Sequence, residues 1–349
     1  MGMNTDELTA LLKDDGQPAY RGKQMAKWLY EYGVRTFEEM TNLPDALCED
    51  LAKKYQVGRS QVIVDQHSQD GTIKLLLEMR DGARVETVGL PYSDRLSCCV
   101  STQVGCSVGC VFCATGQSGY TRDLSAGEIV DQVLTVQEAV RSQPVKDPHG
   151  RSRIDHVTFM GMGEPLLNYA ATMKAVRLLN TEMGIAIRHL TISTVGFVPG
   201  ILRLAQEDLQ FTLAVSLHAP TDDLRRRLIP GMTTWSVAEL MEACRKYVQR
   251  TNRRITFEYC LMDGVNDGVS EAQELARVLR GMNCHVNLIS CNSVPGLTTR
   301  MPPREHTDAF REVLESANIQ VTQRFQRGAD IDAACGQLRQ RTAEAVDPS

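Results

Sequence analysis

Apolar positions recur along this chain with two different periods, and the change from one to the other divides it. In the first sixty residues the period is helical: Met25, Trp28, Leu29 and Tyr32 stand at i, i+3, i+4 and i+7, and Leu47, Leu51 and Tyr55 repeat the spacing after Leu43-Pro44. This predicts a small helical accessory module over residues 1–60, with Arg21, Lys23 and Lys27 beside its apolar positions, where RNA contact and an ordinary amphipathic surface are both compatible readings. Two Asp-Gly pairs, Asp70-Gly71 and Asp81-Gly82, then separate β-branched and leucine-rich runs, predicting a β-hairpin extension over 61–94. On the outgoing strand, alternation puts Glu86 on the same face as Val88 and Leu90. A carboxylate on an apolar face is either paired or functional.

From residue 95 to 349 the pattern is strand then helix, repeatedly. Candidate strands are 96–101, 156–160, 190–194, 211–217, 255–261 and 285–289. Six such units predict an α/β fold, a parallel sheet curled into an incomplete (β/α)6 barrel. In parallel α/β folds the chemistry gathers at the carboxyl ends of the strands. Those ends carry Gly161, Gly163 and Glu164 after the second strand, Ser193 on the third, Ser216 and His218 on the fourth, and Asn292 after the sixth. Glycine permits close approach of a ligand, Glu164 can accept from an ammonium, and the others offer hydroxyl, imidazole and amide groups. Taken singly, a Gly-Glu-Pro after a strand is a turn and a lone histidine is structural. Their common position at strand ends favours a binding site.

Composition narrows the class. The 349 residues suffice for a large barrel or about two domains, and 42% are hydrophobic. No apolar run is long enough to span a membrane and no basic-then-apolar leader is seen, so a soluble, cytoplasmic protein is expected. Asp6 occupies the Ser/Thr position that a myristoylation signal requires after Met1-Gly2. Eleven cysteines, an odd count, point to reduced thiols and metal or redox chemistry rather than a disulfide framework. The net charge of −5 is not the footprint of a generic nucleic-acid binder. RNA contact must then come from local patches such as Arg225-Arg226-Arg227, Arg253-Arg254 or the series Arg324, Arg327, Arg339 and Arg341, each otherwise a solvated face.

Cys106, Cys110 and Cys113 fall in Cys-Ser-Val-Gly-Cys-Val-Phe-Cys, on the loop after the first barrel strand. Three thiolates on one short loop can hold three corners of an iron–sulfur cube and leave the fourth iron open to a cofactor. A zinc knuckle or three buried thiols are the alternatives, but no second cysteine pair or His-x3-5-His follows.

The spacing resembles the cluster motif of radical S-adenosylmethionine enzymes. Together with 99–106, 159–168, Ser216-Leu217-His218-Ala219-Pro220 and the closing stretch 328–338, it resembles the radical S-adenosylmethionine RNA adenosine methyltransferases of the RlmN/Cfr family over nearly the whole chain. The resemblance implies a radical SAM barrel holding a [4Fe-4S] cluster, two S-adenosylmethionine molecules per turnover, and an electron donor of the flavodoxin or ferredoxin type. It also implies methylation of an adenosine in the peptidyl transferase centre of 23S rRNA, at carbon 2 in the RlmN branch and carbon 8 in the Cfr branch. RlmN-type enzymes treat the adenosine 3′ of the tRNA anticodon as well. The complete front module and the Glu86 strand resemble the RlmN branch. Ser290-Cys291 before Asn292 departs from the expected proline and aromatic, which puts in question the contact to the adenine of the cofactor.

An aromatic carbon of adenine is too weak a nucleophile to take a methyl group from a sulfonium, so a carbon radical must reach it. By resemblance, Cys335 carries the methyl group, its radical adds to the base, and a covalent protein–RNA intermediate results. Cys99 resolves it, leaving a disulfide. Glu86 matches the proton acceptor of the family, though Cys99 itself is an alternative base. Cys98 is the internal control, since on a strand it faces away from Cys99. Phe112 either shields the cluster or packs on the adenine. A reading from another class is a non-catalytic RNA-binding protein with a structural cluster, which requires protein-only ligation.

Overall fold

In the computed structural model the described residues are 1–142, 152–291, 299–324 and 327–331. The front of the chain forms α1 (Thr5–Asp14), α2 (Tyr20–Lys27) and α3 (Asp45–Lys54). Asn4 and Glu7 close a capping box at the start of α1, satisfying backbone donors that a helix leaves orphaned. A π-turn, Trp28–Tyr32, continues α2 and advances fewer degrees per residue than an α-helix. The predicted face is therefore rotated: Met25, Leu29 and Tyr30 are buried, whereas Tyr32 is 48% exposed. Tyr55 also lies outside the apolar face, in extended backbone that ends α3.

The predicted hairpins form an antiparallel meander of β1 (Gln61–His67), β2 (Ile73–Glu78) and β3 (Arg84–Pro91). Gly71 and Gly82 take φ of +82° and +80° at its two turns, the left-handed backbone that favours glycine. The chain continues through β4 (Leu96–Cys99), β5 (Gln103–Gly105), α4 (Ala114–Gln117), β6 (Tyr120–Asp123) and α5 (Ala126–Ser142). Next come β7 (His156–Phe159), α6 (Tyr169–Thr181), β8 (Leu190–Thr194), α7 (Val198–Leu204), β9 (Thr212–Ser216) and α8 (Asp222–Leu228). The last described elements are α9 (Val237–Thr251), β10 (Ile255–Leu261), α10 (Val269–Leu279), β11 (Cys284–Ser290), α11 (Arg304–Ser316) and β12 (Gln320–Arg324).

All six expected barrel strands form, as β4 and β7 to β11, and β12 adds a seventh to the parallel run. Ten strands make one sheet in the order β1-β2-β3-β4-β7-β8-β9-β10-β11-β12, while β5 and β6 pair separately. The switch in direction falls at β4, antiparallel to β3 and parallel to β7. Residues of eight strands, from β3 to β12, line one cavity, so the sheet curls around it as an incomplete barrel.

The main apolar core runs from Leu8 in α1 to Ile319 ahead of β12, and a second, smaller one packs Val108 and Cys110 of the cysteine loop against Leu224 and Leu228 of α8. A buried polar tie fastens the front helices to the main core. Arg59 donates to Asp131 on α5 and to the Gly33 carbonyl, and Ser60 donates to the same carboxylate through its N–H at 2.8 Å and through its hydroxyl. The basic triplet 225–227 is split by burial: Arg226 and Arg227 are exposed, but Arg225 is inside and unavailable to RNA, because strand-end carbonyls inside the barrel require its donors. No helix among the described residues is long and apolar enough to cross a membrane.

Breaking the tie should leave an uncompensated buried carboxylate. Arg59→Met is expected to lower stability by about 3–5 kcal/mol, read as a shift in the urea midpoint. A change below about 1 kcal/mol would mean that the pair behaves as a surface salt bridge.

Candidate active site

The polypeptide first reaches the cavity along β3 and β4. Alternation on β4 buries Cys98 fully, beside Thr87 Oγ1 at 3.6 Å, and turns Cys99 onto the cavity wall. Burial pushes the Cys99 thiol up, offset in part by a hydrogen bond with Thr158, by the Arg324 guanidinium and by a backbone bond at Met160. Glu86, Val88 and Leu90 share the cavity face of β3, as their spacing predicts. Glu86 is buried and paired with fully buried Lys74 at 3.9 Å, so the carboxylate on the apolar face has a partner as well as a position on the cavity.

The cysteine loop leaves β5 through Gly105 and returns through α4 and β6. Gly105 has φ +77°, and a Cβ there would stand 1.9 Å from the Gly119 carbonyl oxygen, so glycine is required for the loop to close. Cys106 N–H donates to that carbonyl at 2.8 Å, and Val111 N–H donates to Leu228 at the end of α8 at 3.0 Å. Cys106, Cys110 and Cys113 all line the cavity. Burial pushes the Cys106 thiol up to about 11 and raises that of Cys110 as well. Among the described residues, only Asp263, Asp267 and His306 bring three such ligand atoms within 4.8 Å of one another. At least two of the three loop sulfurs therefore stand more than 4.8 Å apart, and three thiolates at that spread on one loop fit a cluster with one open iron.

Glycines after β7 serve close packing of the chain on itself. A Cβ on Gly161 would meet Ser101 Oγ at 2.7 Å, and one on Gly163, at φ +98°, would meet Gln103 Cβ at 2.5 Å. What approaches them is the segment after β4, which holds the loop in return: Ser101 Oγ accepts from Met162 N–H at 2.8 Å and Gln103 Oε1 from Glu164 N–H at 2.9 Å. Glu164 is buried and accepts from the N–H groups of Leu166 (3.0 Å) and Val195 (2.8 Å). Burial nonetheless pushes its carboxyl up to about 7.

Ser193 and Ser216 meet across β8 and β9 at 3.5 Å and line the cavity beside His218. His218 takes φ +57°, accepts from Cys260 N–H at Nδ1 (2.9 Å), and stacks edge-on with Phe112 at 4.9 Å. Burial, and then the Arg225 charge, push its pKa down to about 3. A neutral ring whose Nδ1 accepts must carry its proton on Nε2, so His218 offers the cavity a donor and not a base. Leu217 belongs to the core and its side chain does not line the cavity; its carbonyl accepts from Arg225. Asn292 and Cys335 lie outside the described residues.

Several cavity residues carry no sequence signal. Cys260 and Cys291 are reduced and hydrogen-bonded to each other, which pulls the Cys291 thiol down to about 7 and raises that of Cys260. Glu258 is buried there, bonded to Asn287 Nδ2 at 2.8 Å. Arg324, grouped by its spacing with surface arginines, closes β12 and lines the cavity. The cavity measures about 620 Å³, within the range of small-molecule sites.

Against this geometry, the chain matches the radical SAM superfamily over residues 100–279 and the ribosomal RNA large subunit methyltransferase N-terminal domain over 1–57. It is 48% identical to a probable dual-specificity RNA methyltransferase RlmN of Thermosynechococcus vestitus, over 97% of this chain and 98% of that one. A protein of the same description from Gloeobacter violaceus is 50% identical over 98% of this chain and 95% of its own. A radical SAM methyltransferase from Sphaerobacter thermophilus superposes with a TM-score of 0.92 at 46% identity, covering 96% and 97% of the two chains.

The His218 arrangement has a pH signature. The unfolded chain protonates this ring near 6.5 and the folded chain only near 3, so its contribution to stability is full above 6.5 and is lost as pH falls from there toward 3. His218→Gln keeps an acceptor for Cys260 N–H and should flatten the fall in melting temperature between pH 6.5 and about 5. An unchanged slope would mean that the ring is protonated in the fold.

Proposed function

The chain belongs to the RlmN family of radical SAM RNA methyltransferases, and from that premise we propose that it methylates carbon 2 of an adenosine in the peptidyl transferase centre of 23S rRNA. We extend the same chemistry to the adenosine 3′ of the tRNA anticodon, in the cytoplasm, with electrons from a flavodoxin- or ferredoxin-like donor. The observation that carries the reading is that Cys99, Glu86 and the three loop cysteines line a single cavity.

In this reading Cys106, Cys110 and Cys113 hold a [4Fe-4S] cluster, which when bound supplies the electron for reductive cleavage of S-adenosylmethionine. The chain's own residues do the rest. Gly163, Glu164, Ser193, Ser216, the Leu217 backbone, His218 and Asn292 bind and orient the cofactor, with Glu164 accepting from its ammonium and His218 donating from Nε2. Cys335 carries the methyl group on sulfur; that group gives up one hydrogen atom to the radical that cofactor cleavage supplies, its carbon bonds to the base, and the adduct gives back one electron, balancing the one spent in cleavage. Ile331, four residues before Cys335 in the sequence, follows Asp330, whose carboxylate accepts from Ser68 and Gln69 on the β1–β2 turn. Cys99 attacks the Cys335 sulfur as thiolate; the sulfur–carbon bond breaks with its electron pair kept by the methylene carbon, which takes up a proton to become the product methyl group, and the disulfide left behind must be reduced by an external thiol. Glu86 or Cys99 takes the proton leaving carbon 2. Removal of Cys99 leaves Cys98 turned into the core, so the neighbouring thiol is no substitute.

Substrate RNA carrying deuterium at adenine carbon 2 tests the regiochemistry. Loss of the label in step with methylation is expected, and its retention in the methylated nucleoside would establish carbon 8 instead. Cys99→Ala should accumulate a covalent protein–RNA adduct, seen as a nuclease-sensitive shift on denaturing gels, whereas Cys98→Ala should not. Free methylated product from Cys99→Ala would remove Cys99 from the resolving role.

A further inference from the structure

The last strand of the ten-stranded sheet and the turn between β3 and β4 meet on the cavity wall, at Tyr92. This residue opens the turn between β3 and β4, its N–H donating to the Arg95 carbonyl at 2.8 Å. Guanidinium carbons of Arg95 and Arg327 lie 4.2 and 4.5 Å from its ring centroid, and Arg324 hydrogen-bonds its side chain. Arg327 donates to the Pro91 carbonyl, and Gly328 N–H donates to Asp70 at 3.0 Å, so the segment after β12 is fastened to the hairpins. Tyr92, Arg324 and Arg327 line the same cavity as Cys99 and Glu86.

Three cations gathered on one phenol ring are unexpected in a chain of net charge −5 unless a counter-charge arrives. Among the described residues Arg95 has only Asp94, its exposed sequence neighbour, as an ion-pair partner, at 3.1 Å. Among the described residues Arg324 and Arg327 form no ion pair within 4.0 Å; the acid whose field reaches Arg324 is buried Glu258, already bonded to Asn287. A guanidinium lying against an aromatic ring keeps its in-plane N–H groups, which match phosphate oxygens. Bases that undergo chemistry must leave their stack and enter a pocket, and the backbone on either side stays at its rim.

We propose that Tyr92, Arg95, Arg324 and Arg327 form a collar that grips the phosphodiester groups flanking the target adenosine, with Tyr92 holding the guanidinium groups in position. The proposal rests on RNA being the substrate. It names the backbone contact rather than the base contact, so it applies equally to a ribosomal and a transfer RNA loop. Collar residues are positioning residues, acting on where the strand lies.

The test is binding of a fluorescein-labelled anticodon stem-loop to the full-length, cluster-reconstituted protein over a series of potassium chloride concentrations. Arg327→Gln should weaken binding roughly tenfold and reduce the slope of log Kd against log salt by about 0.7, the value for one phosphate contact to a single strand. Arg327→Lys should keep most of the slope. Arg95→Gln, which removes no bond to the Pro91 carbonyl, serves if Arg327→Gln melts early. A wild-type slope in both folded glutamine variants overturns the collar, even with a wild type that methylates the RNA. A wild type that makes no methylated adenosine overturns the RNA reading itself, and the collar with it.

Discussion

Polar backbone groups at the carboxyl ends of the parallel strands have no further strand to pair with, and they are buried. That constraint governs the cavity. Each such group must find a partner locally or cost free energy comparable to a lost hydrogen bond. The partners are side chains of adjoining segments. Gln132 on α5 accepts from Ser101 N–H and donates to its carbonyl, at 2.7 and 2.9 Å. Asn168 donates to the carbonyls of Thr102 and Leu124, Arg225 to those of Val195 and Leu217, and Asn266 to those of His218 and Cys260. A site so crowded with satisfied groups has little freedom to shift. It is suited to chemistry in which a reactive carbon must meet one target and not the surrounding protein.

The same constraint explains the glycines. With Ser101 and Gln103 drawn against the loop after β7, there is no volume for a Cβ at Gly161 or Gly163. Glu164 belongs to this framework too, since two backbone donors hold its carboxylate. Under the proposed function the same residue would hold the loop and meet the cofactor, so its structural bonds fix where the carboxylate stands.

Much of this was legible in sequence because it rests on period and spacing. The repeated strand-then-helix pattern identified the six barrel strands, and the two-residue period, a property of the strand alone, identified the cavity face of Glu86 and the opposition of Cys98 and Cys99. Other features depend on register between distant segments. Nothing local distinguishes Arg225 from Arg226; burial follows from the carbonyls at the ends of β8 and β9 that need its donors. Arg324 resembled a surface arginine because β12 is short, half-exposed and polar, and only its pairing beside β11 brings it to the cavity. Tyr30 replaced Tyr32 in the core through a π-turn, which leaves no compositional mark. The meeting of Cys260 with Cys291 is a consequence of neighbouring parallel strands and could not be read from their separation in the chain.

The four-residue β4 has a consequence for how this gene can change. It pairs with β3 on one side and β7 on the other, and it ends with Cys98 in the core and Cys99 on the cavity. Inserting or deleting one codon before Cys99 would leave composition and hydrophobicity almost untouched while exchanging which of two adjacent thiols meets the cavity. Substitutions here can be graded in effect, but length cannot drift at all. Lineages descended from such a chain should therefore differ in the residues of this strand long before they differ in its length, and any that gained or lost a residue there would present a different side chain to the cavity.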